Sequence, residues 1–245
     1  MHIYGLIGNP LGHSFSKKYF DDKFEKEDLE DCRFELYPIE DITLFPGLIQ
    51  RTSNLQGLAV TIPYKETVMP HLNIIDERAT VIGAVNCISI SENILAGHNT
   101  DSIGFERSLK PLLRTQHKAA LILGSGGASK AVQYVLDQLN ISFVVVSRAA
   151  GKQGYMGYES IDEQTMVNHQ LIINCTPAGM FPNVDELPAI PYQFISKDHL
   201  LYDLIYRPEE TRFLAMGKEQ GAAVKNGYEM LIIQAEENWK IWNAE

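Results

Sequence analysis

Residues 119–147 read AALILGSGGASKAVQYVLDQLNISFVVVS. The apolar segment Ala119–Leu123 runs into a turn of glycines at Gly124–Gly127. A helical pattern follows over Ala128–Leu139, and a second apolar segment occupies Phe143–Ser147. Two short apolar runs on either side of a helix are typical of parallel strands joined by a helical crossover. The stretch therefore predicts a βαβ unit.

The glycine turn has the position and spacing of a dinucleotide-binding turn. Gly124 would allow the tight turn, and Gly126 would let the backbone approach a pyrophosphate. The N–H groups at the start of the following helix would bind the phosphates. Ser129 stands where the usual fingerprint has its third glycine, and a plain tight turn is the alternative interpretation. The predicted cofactor-binding residues of the turn are Gly124, Ser125, Gly126, Gly127 and Ala128.

The end of the second strand indicates which dinucleotide binds. An Asp or Glu at this point would bind the ribose hydroxyl of NAD. This chain has Ser147 and Arg148 there, with Lys152 nearby and without a carboxylate. A guanidinium can pair with a 2′-phosphate, so the segment favours NADP. A solvent-exposed arginine at a strand end is the alternative.

Strand and helix patterns alternate along the whole chain, which predicts an α/β fold with parallel sheets and helices on both faces. His2–Gly8 reads as a strand, and Ala84–Ser91 with Ile94–His98 reads as a hairpin. We expect a domain boundary near Asn99–Ile103 and a strongly amphipathic closing helix over Met230–Trp242. Internal repeats are not evident.

Composition excludes several classes of protein. The 245 residues are 45% hydrophobic and 21% charged, as in ordinary globular proteins. A net charge of −10 argues against binding to nucleic acid or an anionic membrane, since both need a basic face. The three widely spaced cysteines predict neither a disulfide framework nor a metal site. Without a signal-peptide pattern or a long apolar run, we expect a cytoplasmic protein.

Several further motifs occur in a fixed order along the chain. They are GLIGNPLGHSFS at 5–16, VTIPYK at 60–65, GAVN at 83–86, GHNTDSIG at 97–104, NCTPAGM at 174–180 and NGYEM at 226–230 with Gln234. With the glycine turn, this ordered set resembles the shikimate dehydrogenase family from about residue 3 to 240. The resemblance implies reversible reduction of 3-dehydroshikimate to shikimate by NADPH, in the biosynthesis of chorismate and aromatic amino acids.

The resemblance also implies two α/β domains with the active site in the cleft between them. A substrate domain would comprise residues 1–100 and about 228–245, because the C-terminal helix returns to it. A Rossmann-type NADP-binding domain would comprise residues 101–227. By the family pattern Lys65 and Asp101 form the catalytic pair: Lys65 exchanges the proton, and Asp101 accepts a hydrogen bond from the reacting alcohol and holds the ammonium. A surface lysine and a helix-capping aspartate are the alternative.

The remaining site residues follow from the same resemblance. Ser14 and Ser16 would bind the substrate carboxylate, with Tyr206 nearby and His13 orienting the loop; an ordinary helix cap is the alternative for the serines. Met230 would lie near the nicotinamide, or else pack in the core. The hydroxyls of the substrate would be bound by Thr61, Asn86, Asp101 and Gln234. The cofactor would also be contacted by Ser147, Arg148, Thr176, Met180 and Gly227.

The match departs from the family pattern at a few positions. Lys17, Asp21 and Ala59 replace the usual Pro, Asn and Asn, and Ala149 replaces a threonine beside the expected phosphate site. The loss of that threonine weakens the preference for NADP over NAD. A quinate/shikimate dehydrogenase that uses either cofactor is therefore the nearest rival, and a regulatory homologue without turnover is a rival of another class. Either a monomer or a homodimer is compatible with the sequence.

Overall fold

The computed structural model describes residues 1–12, 14–149, 151 and 154–244. His13 and Lys152, which the sequence connects with the serine loop and the phosphate site, lie outside the described residues. The chain forms two compact units. The first unit comprises Met1–Thr100 and Gln234–Glu245, and the second comprises Asp101–Ile233. The assignment of substrate binding to one unit and cofactor binding to the other stays a prediction.

The first unit is built on one sheet whose described strands are ordered β2-β1-β3-β5-β6-β4. Its strands are β1 (His2–Gly8), β2 (Cys32–Pro38), β3 (Leu55–Val60), β4 (Ile74–Ile75), β5 (Cys87–Ser91) and β6 (Ile94–His98). β1 pairs in parallel with both β2 and β3. The predicted hairpin is present, because β5 and β6 pair antiparallel through a turn at Glu92 and Asn93.

That predicted hairpin makes the first sheet mixed, with a parallel part and an antiparallel part. β3 pairs antiparallel with β5, which reverses the direction of the chain after the parallel β2-β1-β3 part. The hairpin strand also begins later than predicted, at Cys87 instead of Ala84. The helices of this unit are α1 (Phe15–Lys26), α2 (Phe45–Arg51) and α3 (Glu77–Ile82).

The end of the C-terminal helix belongs to the first unit. This helix, α8, spans Tyr228–Trp242. Trp242 donates its indole N–H to the carbonyl of Ile88 at 3.0 Å. Tyr4 stacks on the Trp242 ring with centroids 5.2 Å apart, and Phe20 and Phe24 complete an aromatic core. Burial of several aromatic rings supplies a large hydrophobic contribution that fixes the returning helix.

The second unit has an all-parallel sheet, as its sequence predicts. Its described strands are ordered β11-β10-β9-β7-β8, and every pairing among them is parallel. They are β7 (Ala119–Leu123), β8 (Ser142–Val146), β9 (Leu171–Asn174), β10 (Leu200–Asp203) and β11 (Ala223–Lys225). Its helices are α4 (Asp101–Leu109), α5 (Gly127–Gln138), α6 (Glu163–Asn168), α7 (Arg212–Glu219) and the start of α8.

Both faces of the second sheet are covered by apolar residues. One core includes Ile122, Val132 and Leu136 and extends to Met230 on α8. The other includes Leu121, Met166 and Phe213. Central strands buried on both faces explain the near-continuous apolar runs in the sequence. Among the described helices, none is long and apolar enough to cross a membrane.

Candidate active site

The glycine turn lies at the point where the second sheet changes the direction of its strand order. β7 is flanked by β8 on one side and by β9 on the other. In open parallel sheets, ligands bind outside the carboxyl ends of the strands at such a switch point. Gly124 follows β7, and Thr176 follows β9. The structure therefore brings these two predicted cofactor residues to one edge of one sheet.

Gly124 is a glycine for two physical reasons. Its φ of +106° is a backbone conformation that L side chains rarely adopt. A Cβ atom here would also lie 3.0 Å from the Thr176 Cγ2 atom and 3.2 Å from the Cys175 carbonyl. The turn can thus close tightly over the end of β9 only without a side chain.

The N-terminus of α5 fits a phosphate group. Gly126 is the N-cap residue of α5, and no described side chain caps this end of the helix. A Cβ atom on Gly126 would meet nothing within 4 Å, so there is open space above the first turn. Uncapped N–H groups and the positive end of the helix dipole are suited to a pyrophosphate. Ser129 is buried instead of exposed, and its hydroxyl accepts a hydrogen bond from Gln133 at 3.0 Å.

The segment after β8 presents one buried and one exposed polar side chain. Ser147 is 7% exposed, and its hydroxyl lies 3.1 Å from that of Ser125 in the glycine turn. The Ser147 oxygen also accepts from the backbone N–H of Ala149 at 3.2 Å. Arg148 is exposed, and its charge lies close enough to Tyr158 to oppose the rise that burial causes in the pKa of that phenol. The exposed Arg148 guanidinium, next to the hydrogen-bonded Ser147, is suited to a 2′-phosphate.

The loop after β9 is held by a buried carboxylate that the sequence analysis did not select. Asn174 accepts hydrogen bonds through Oδ1 from the Thr176 hydroxyl at 2.6 Å and the Thr176 N–H at 3.0 Å. Its Nδ2 donates to Asp203 Oδ1 at 3.0 Å. Asp203 also accepts from the Ile205 N–H at 3.0 Å and from the Thr211 hydroxyl at 2.6 Å. Asp203 thus joins the loops after β9 and β10.

The Asp203 side chain is fully buried, and that burial governs its ionisation. Loss of hydration raises the pKa of its carboxyl to about 6, and the hydrogen bonds from Thr211, Ile205 and Asn174 offset only part of this rise. The neighbouring groups Cys175 and Tyr192 have raised pKa values as well, first because of burial and then because of the Asp203 charge. A buried cluster of this kind is sensitive to pH.

Three other predicted cofactor residues lie in different environments. Met180 is 44% exposed on the loop after β9. Met230 is 7% exposed and packs in the core of the second unit, so its observed contacts are those of a core residue. Gly227 approaches the backbone so closely that a Cβ atom would lie 2.1 Å from the Leu204 carbonyl oxygen. Its N–H donates to the Ile205 carbonyl at 3.0 Å.

Lys65 lies on a loop after β3 that two buried side chains hold. Tyr64, 5% exposed, donates its hydroxyl to the Ile39 carbonyl at 2.5 Å. Val68 is fully buried, and the Lys65 carbonyl accepts from the Val85 N–H at 2.7 Å. The Lys65 side chain itself is half-buried. Its assignment to the catalytic pair stays a prediction.

Two predicted substrate residues share a buried hydrogen-bond network in the first unit. Asn86 Nδ2 donates to Gln234 Oε1 at 3.4 Å and to the Thr100 hydroxyl at 2.9 Å. Asn86 Oδ1 accepts from the Thr100 N–H at 2.6 Å. Asp101, 7% exposed, follows Thr100 directly and is the first residue of α4. A carboxylate in the first turn of a helix is stabilised by the helix dipole.

Ser14 makes the helix-capping contact of the alternative interpretation, and carboxylate binding by the two serines stays a prediction. Ser14 is the N-cap of α1, and its oxygen accepts from the Lys17 N–H at 3.4 Å. Ser16 lies in the first turn of that helix and is half-buried. A capping serine accepts a hydrogen bond through an oxygen lone pair, so its O–H group can still donate to a carboxylate. Thr61 and Tyr206 are half-buried, and burial raises the pKa of the Tyr206 phenol.

Sequence reasoning missed Thr100, Asp203 and Asn238. Their side chains form hydrogen bonds with predicted site residues or with the loops that carry them. The sequence shows Asp203 only as a charged residue in an apolar run, and the structure pairs it with Asn174 in the register of β9 and β10. Asn238 carries a helix-period signal, since it lies one turn after Gln234 on α8.

The chain resembles known proteins over nearly its whole length. Residues 6–88 match the family model described as the shikimate dehydrogenase substrate binding domain. A shikimate dehydrogenase (NADP(+)) of Clostridium beijerinckii is 38% identical over 99% of this chain and 92% of the relative. The chain belongs to the shikimate dehydrogenase family. The predicted family is therefore confirmed.

Solved members of the shikimate dehydrogenase family share the fold. The enzyme of Aquifex aeolicus aligns with a TM-score of 0.89 at 32% identity, over 100% of this chain and 93% of that one. A shikimate 5-dehydrogenase of Thermus thermophilus, solved in complex with NADP(H) and shikimate, aligns with a TM-score of 0.87 at 28% identity, over 100% and 94%. The predicted α/β class with a Rossmann-type half is confirmed.

Proposed function

We propose that the chain catalyses the reversible NADPH-dependent reduction of 3-dehydroshikimate to shikimate, on the route to chorismate and the aromatic amino acids. The observation that carries this proposal is 38% identity over 99% of the chain to a relative named for NADP(+)-dependent shikimate dehydrogenation. The enzyme class, an oxidoreductase, and the cofactor, NADP, are those of the curated relatives, so both predictions are confirmed.

The second unit supplies the groups that fit the cofactor. The open N-terminus of α5 would hold the pyrophosphate, and Arg148 with Ser147 would hold the 2′-phosphate. Thr176 and Met180 would line the cofactor from the loop after β9, and the backbone at Gly227 would approach it. When bound, NADPH supplies the hydride that reduces the carbonyl carbon.

Lys65 is the proposed proton donor. Reduction of a ketone places a proton on the oxygen, and an ammonium group can give this proton and take it back in the oxidation. The loop that bears Lys65 is fixed at Tyr64 and Val68, which limits how far the ammonium can move. A positioned acid–base group contributes roughly 10²–10⁴-fold to a rate.

Asp101 is the proposed acceptor for the reacting hydroxyl. Its side chain lies in the first turn of α4, and a carboxylate oxygen there can accept a hydrogen bond from the reacting hydroxyl. Its backbone is fixed by Thr100, which Asn86 binds through both the N–H and the hydroxyl.

The other substrate contacts suit a ligand with one carboxylate and three hydroxyls. Ser14 and Ser16 would donate to the carboxylate at the positive end of α1, close to Tyr206 in the proposed complex. Thr61, Asn86 and Gln234 offer hydroxyl and amide groups, which both donate and accept and so suit sugar-like hydroxyls.

We also propose that the protein acts in the cytoplasm as a monomer or homodimer. Cys32, Cys87 and Cys175 are free thiols, which suits a reducing compartment. Light scattering after size-exclusion chromatography distinguishes one chain from two. A larger assembly would contradict the proposal.

The activity is tested by following reduced nicotinamide in the near ultraviolet. Purified protein is mixed with shikimate or quinate and with NADP⁺ or NAD⁺. Fast turnover with shikimate and NADP⁺, with much slower turnover in the other combinations, is expected. Equal turnover with quinate, or with NAD⁺, would move the chain to the broader-specificity branch. Folded protein that binds NADP⁺ but turns over neither substrate would contradict the proposal and favour a regulatory homologue.

A further inference from the structure

A cluster of uncharged polar side chains is buried in the first unit, beneath the proposed substrate residues. It comprises Asn86, Thr100, Gln234 and Asn238, whose side chains are between 0% and 7% exposed. Thr100, at 0%, and Asn238, at 1%, are not proposed substrate contacts, and Asn238 is the one whose side chain joins Thr100 to Gln234. Burial of an amide is costly unless its donors and acceptor are paired. Its contacts therefore indicate what it does.

Asn238 bridges two parts of the proposed site. Its Oδ1 accepts a hydrogen bond from the Thr100 hydroxyl at 2.6 Å. Its Nδ2 donates to Gln234 Oε1 at 3.3 Å, one helical turn earlier on α8. The contact with Gln234 fixes the orientation of the amide, because rotation by half a turn would place Asn238 Oδ1 against Gln234 Oε1, acceptor against acceptor.

The bridge sets the orientation of the Gln234 amide. Oε1 of Gln234 faces two donors, Asn238 Nδ2 at 3.3 Å and Asn86 Nδ2 at 3.4 Å. The NH₂ group of Gln234 is therefore the end turned away from these donors. An oriented NH₂ group donates a hydrogen bond to a ligand hydroxyl without first losing rotational freedom.

The other end of the bridge reaches the residue before Asp101. The Thr100 side chain is held between Asn238 and Asn86, and its N–H donates to Asn86 at 2.6 Å. Thr100 is fully buried. Removal of the Asn238 amide leaves the Thr100 hydroxyl without its closest acceptor, and the peptide that leads into Asp101 is then less constrained.

We propose that Asn238 is a positioning residue, which orients the Gln234 amide toward the substrate and fixes the Thr100–Asp101 junction. This inference rests on the proposed function. It assigns the C-terminal half of α8 a role in turnover in addition to its aromatic packing.

The test compares Asn238→Leu and Asn238→Asp with wild type in steady-state kinetics. For Asn238→Leu we expect the KM for shikimate to rise and kcat to fall, each by roughly 10-fold, because two buried hydrogen bonds are lost. The KM for NADP⁺ should stay within about twofold, since the predicted cofactor residues lie elsewhere. Asn238→Asp keeps an oxygen for Thr100 but loses the donor to Gln234, so its KM should rise with kcat closer to wild type.

A double-mutant cycle distinguishes positioning from general destabilisation. In a Gln234→Ala background, Asn238→Leu should no longer raise the KM for shikimate, because the amide that it orients is absent. Asn243→Leu is the matched control: Asn243 also makes two side-chain hydrogen bonds near the end of α8, with Tyr4 at 3.1 Å and with the Trp239 carbonyl at 2.7 Å. It should leave all kinetic constants unchanged.

Unchanged kcat and shikimate KM in folded Asn238→Leu would overturn the inference. Additive effects of the Asn238 and Gln234 substitutions would overturn it as well. If Asn238→Leu does not fold, Asn238→Asp decides: a shikimate KM equal to wild type contradicts the role. Absence of shikimate turnover in wild type would instead contradict the proposed function, so the two failures are distinguishable.

Discussion

The two units hold their candidate site residues by different chemistry. In the first unit the support is neutral: the amides of Asn86, Gln234 and Asn238 and the hydroxyl of Thr100. In the second unit the support is the carboxylate of Asp203. A neutral network needs every donor matched to an acceptor, but it keeps its hydrogen bonds at any pH at which the protein is folded.

A carboxylate accepts several hydrogen bonds at once, and this capacity suits the joining of the loops after β9 and β10 at Asp203. The cost is a buried charge, which raises the pKa of that carboxyl to about 6. The hydrogen-bond network that supports the proposed substrate residues is therefore independent of pH. The Asp203 carboxyl, which supports the loop after β9, titrates near pH 6.

We expect the largest change in kcat from substitution of Lys65, without a change in NADP⁺ binding. Lys65→Ala should lower kcat by roughly 10²–10⁴-fold, because the proposed proton donor is lost. The dissociation constant for NADP⁺, measured by fluorescence titration, should stay within about twofold. Lys26→Ala, which removes an exposed lysine at the end of α1, is the control and should change neither value. Equal loss of turnover and NADP⁺ affinity would remove Lys65 from the chemistry.

The next effect concerns charge recognition in the second unit. Arg148→Ala should weaken NADP⁺ by about 10-fold and leave NAD⁺ nearly unchanged, because only NADP⁺ carries the 2′-phosphate. The ratio of kcat/KM for the two cofactors measures this change. Arg212→Ala removes another exposed arginine, one that donates to the Asp185 carbonyl at 3.2 Å, and should leave the ratio constant. An unchanged ratio in Arg148→Ala would place the 2′-phosphate elsewhere.

The smallest effect is a pH dependence of stability that belongs to the second unit. The pKa of the Asp203 carboxyl rises on folding from 3.8 to about 6, chiefly because of burial. The protonated form is therefore favoured in the folded state, and stability falls as pH rises through this interval. The full interval corresponds to about 3 kcal/mol.

Asp203→Asn removes this titration. Relative to wild type, the variant should gain about 1 kcal/mol of unfolding free energy between about pH 5 and about pH 7.5, measured by urea denaturation. Asp162→Asn is the control, because hydrogen bonds from Thr165 lower the pKa of that exposed carboxyl. Its difference from wild type should stay flat over the same range. A flat difference for Asp203→Asn too would show that Asp203 stays ionised throughout.

The sequence predicted much of the fold because its strands are short, apolar and separated by turns. His2–Gly8 and Ala119–Leu123 occur with the predicted bounds. The closing helix predicted over Met230–Trp242 begins two residues earlier, at Tyr228. The direction of β3 against β5 depends on long-range pairing, which local patterns do not encode.

The candidate site could be predicted where a residue belongs to a motif with a chemical role, as at Lys65, Asp101 and Gly124. The supporting residues could not. Asp203 is an isolated charged residue in an apolar run, and Asn238 lies among other polar residues of α8. Their partners are far away in the sequence: Asn238 contacts Thr100, and Asp203 contacts Asn174. Only tertiary structure brings such partners together.

We expect the polar network of the first unit and the Asp203 contacts of the second unit to support different ligands, and the KM values of two variants test this expectation. Asn238→Leu should raise the KM for shikimate by roughly 10-fold and leave the KM for NADP⁺ unchanged. Asp203→Asn should raise the KM for NADP⁺ by a few-fold (about 2–5) and leave that for shikimate unchanged. If each variant raises both KM values by the same factor, neither Asn238 nor Asp203 acts on one ligand alone, which contradicts the expectation.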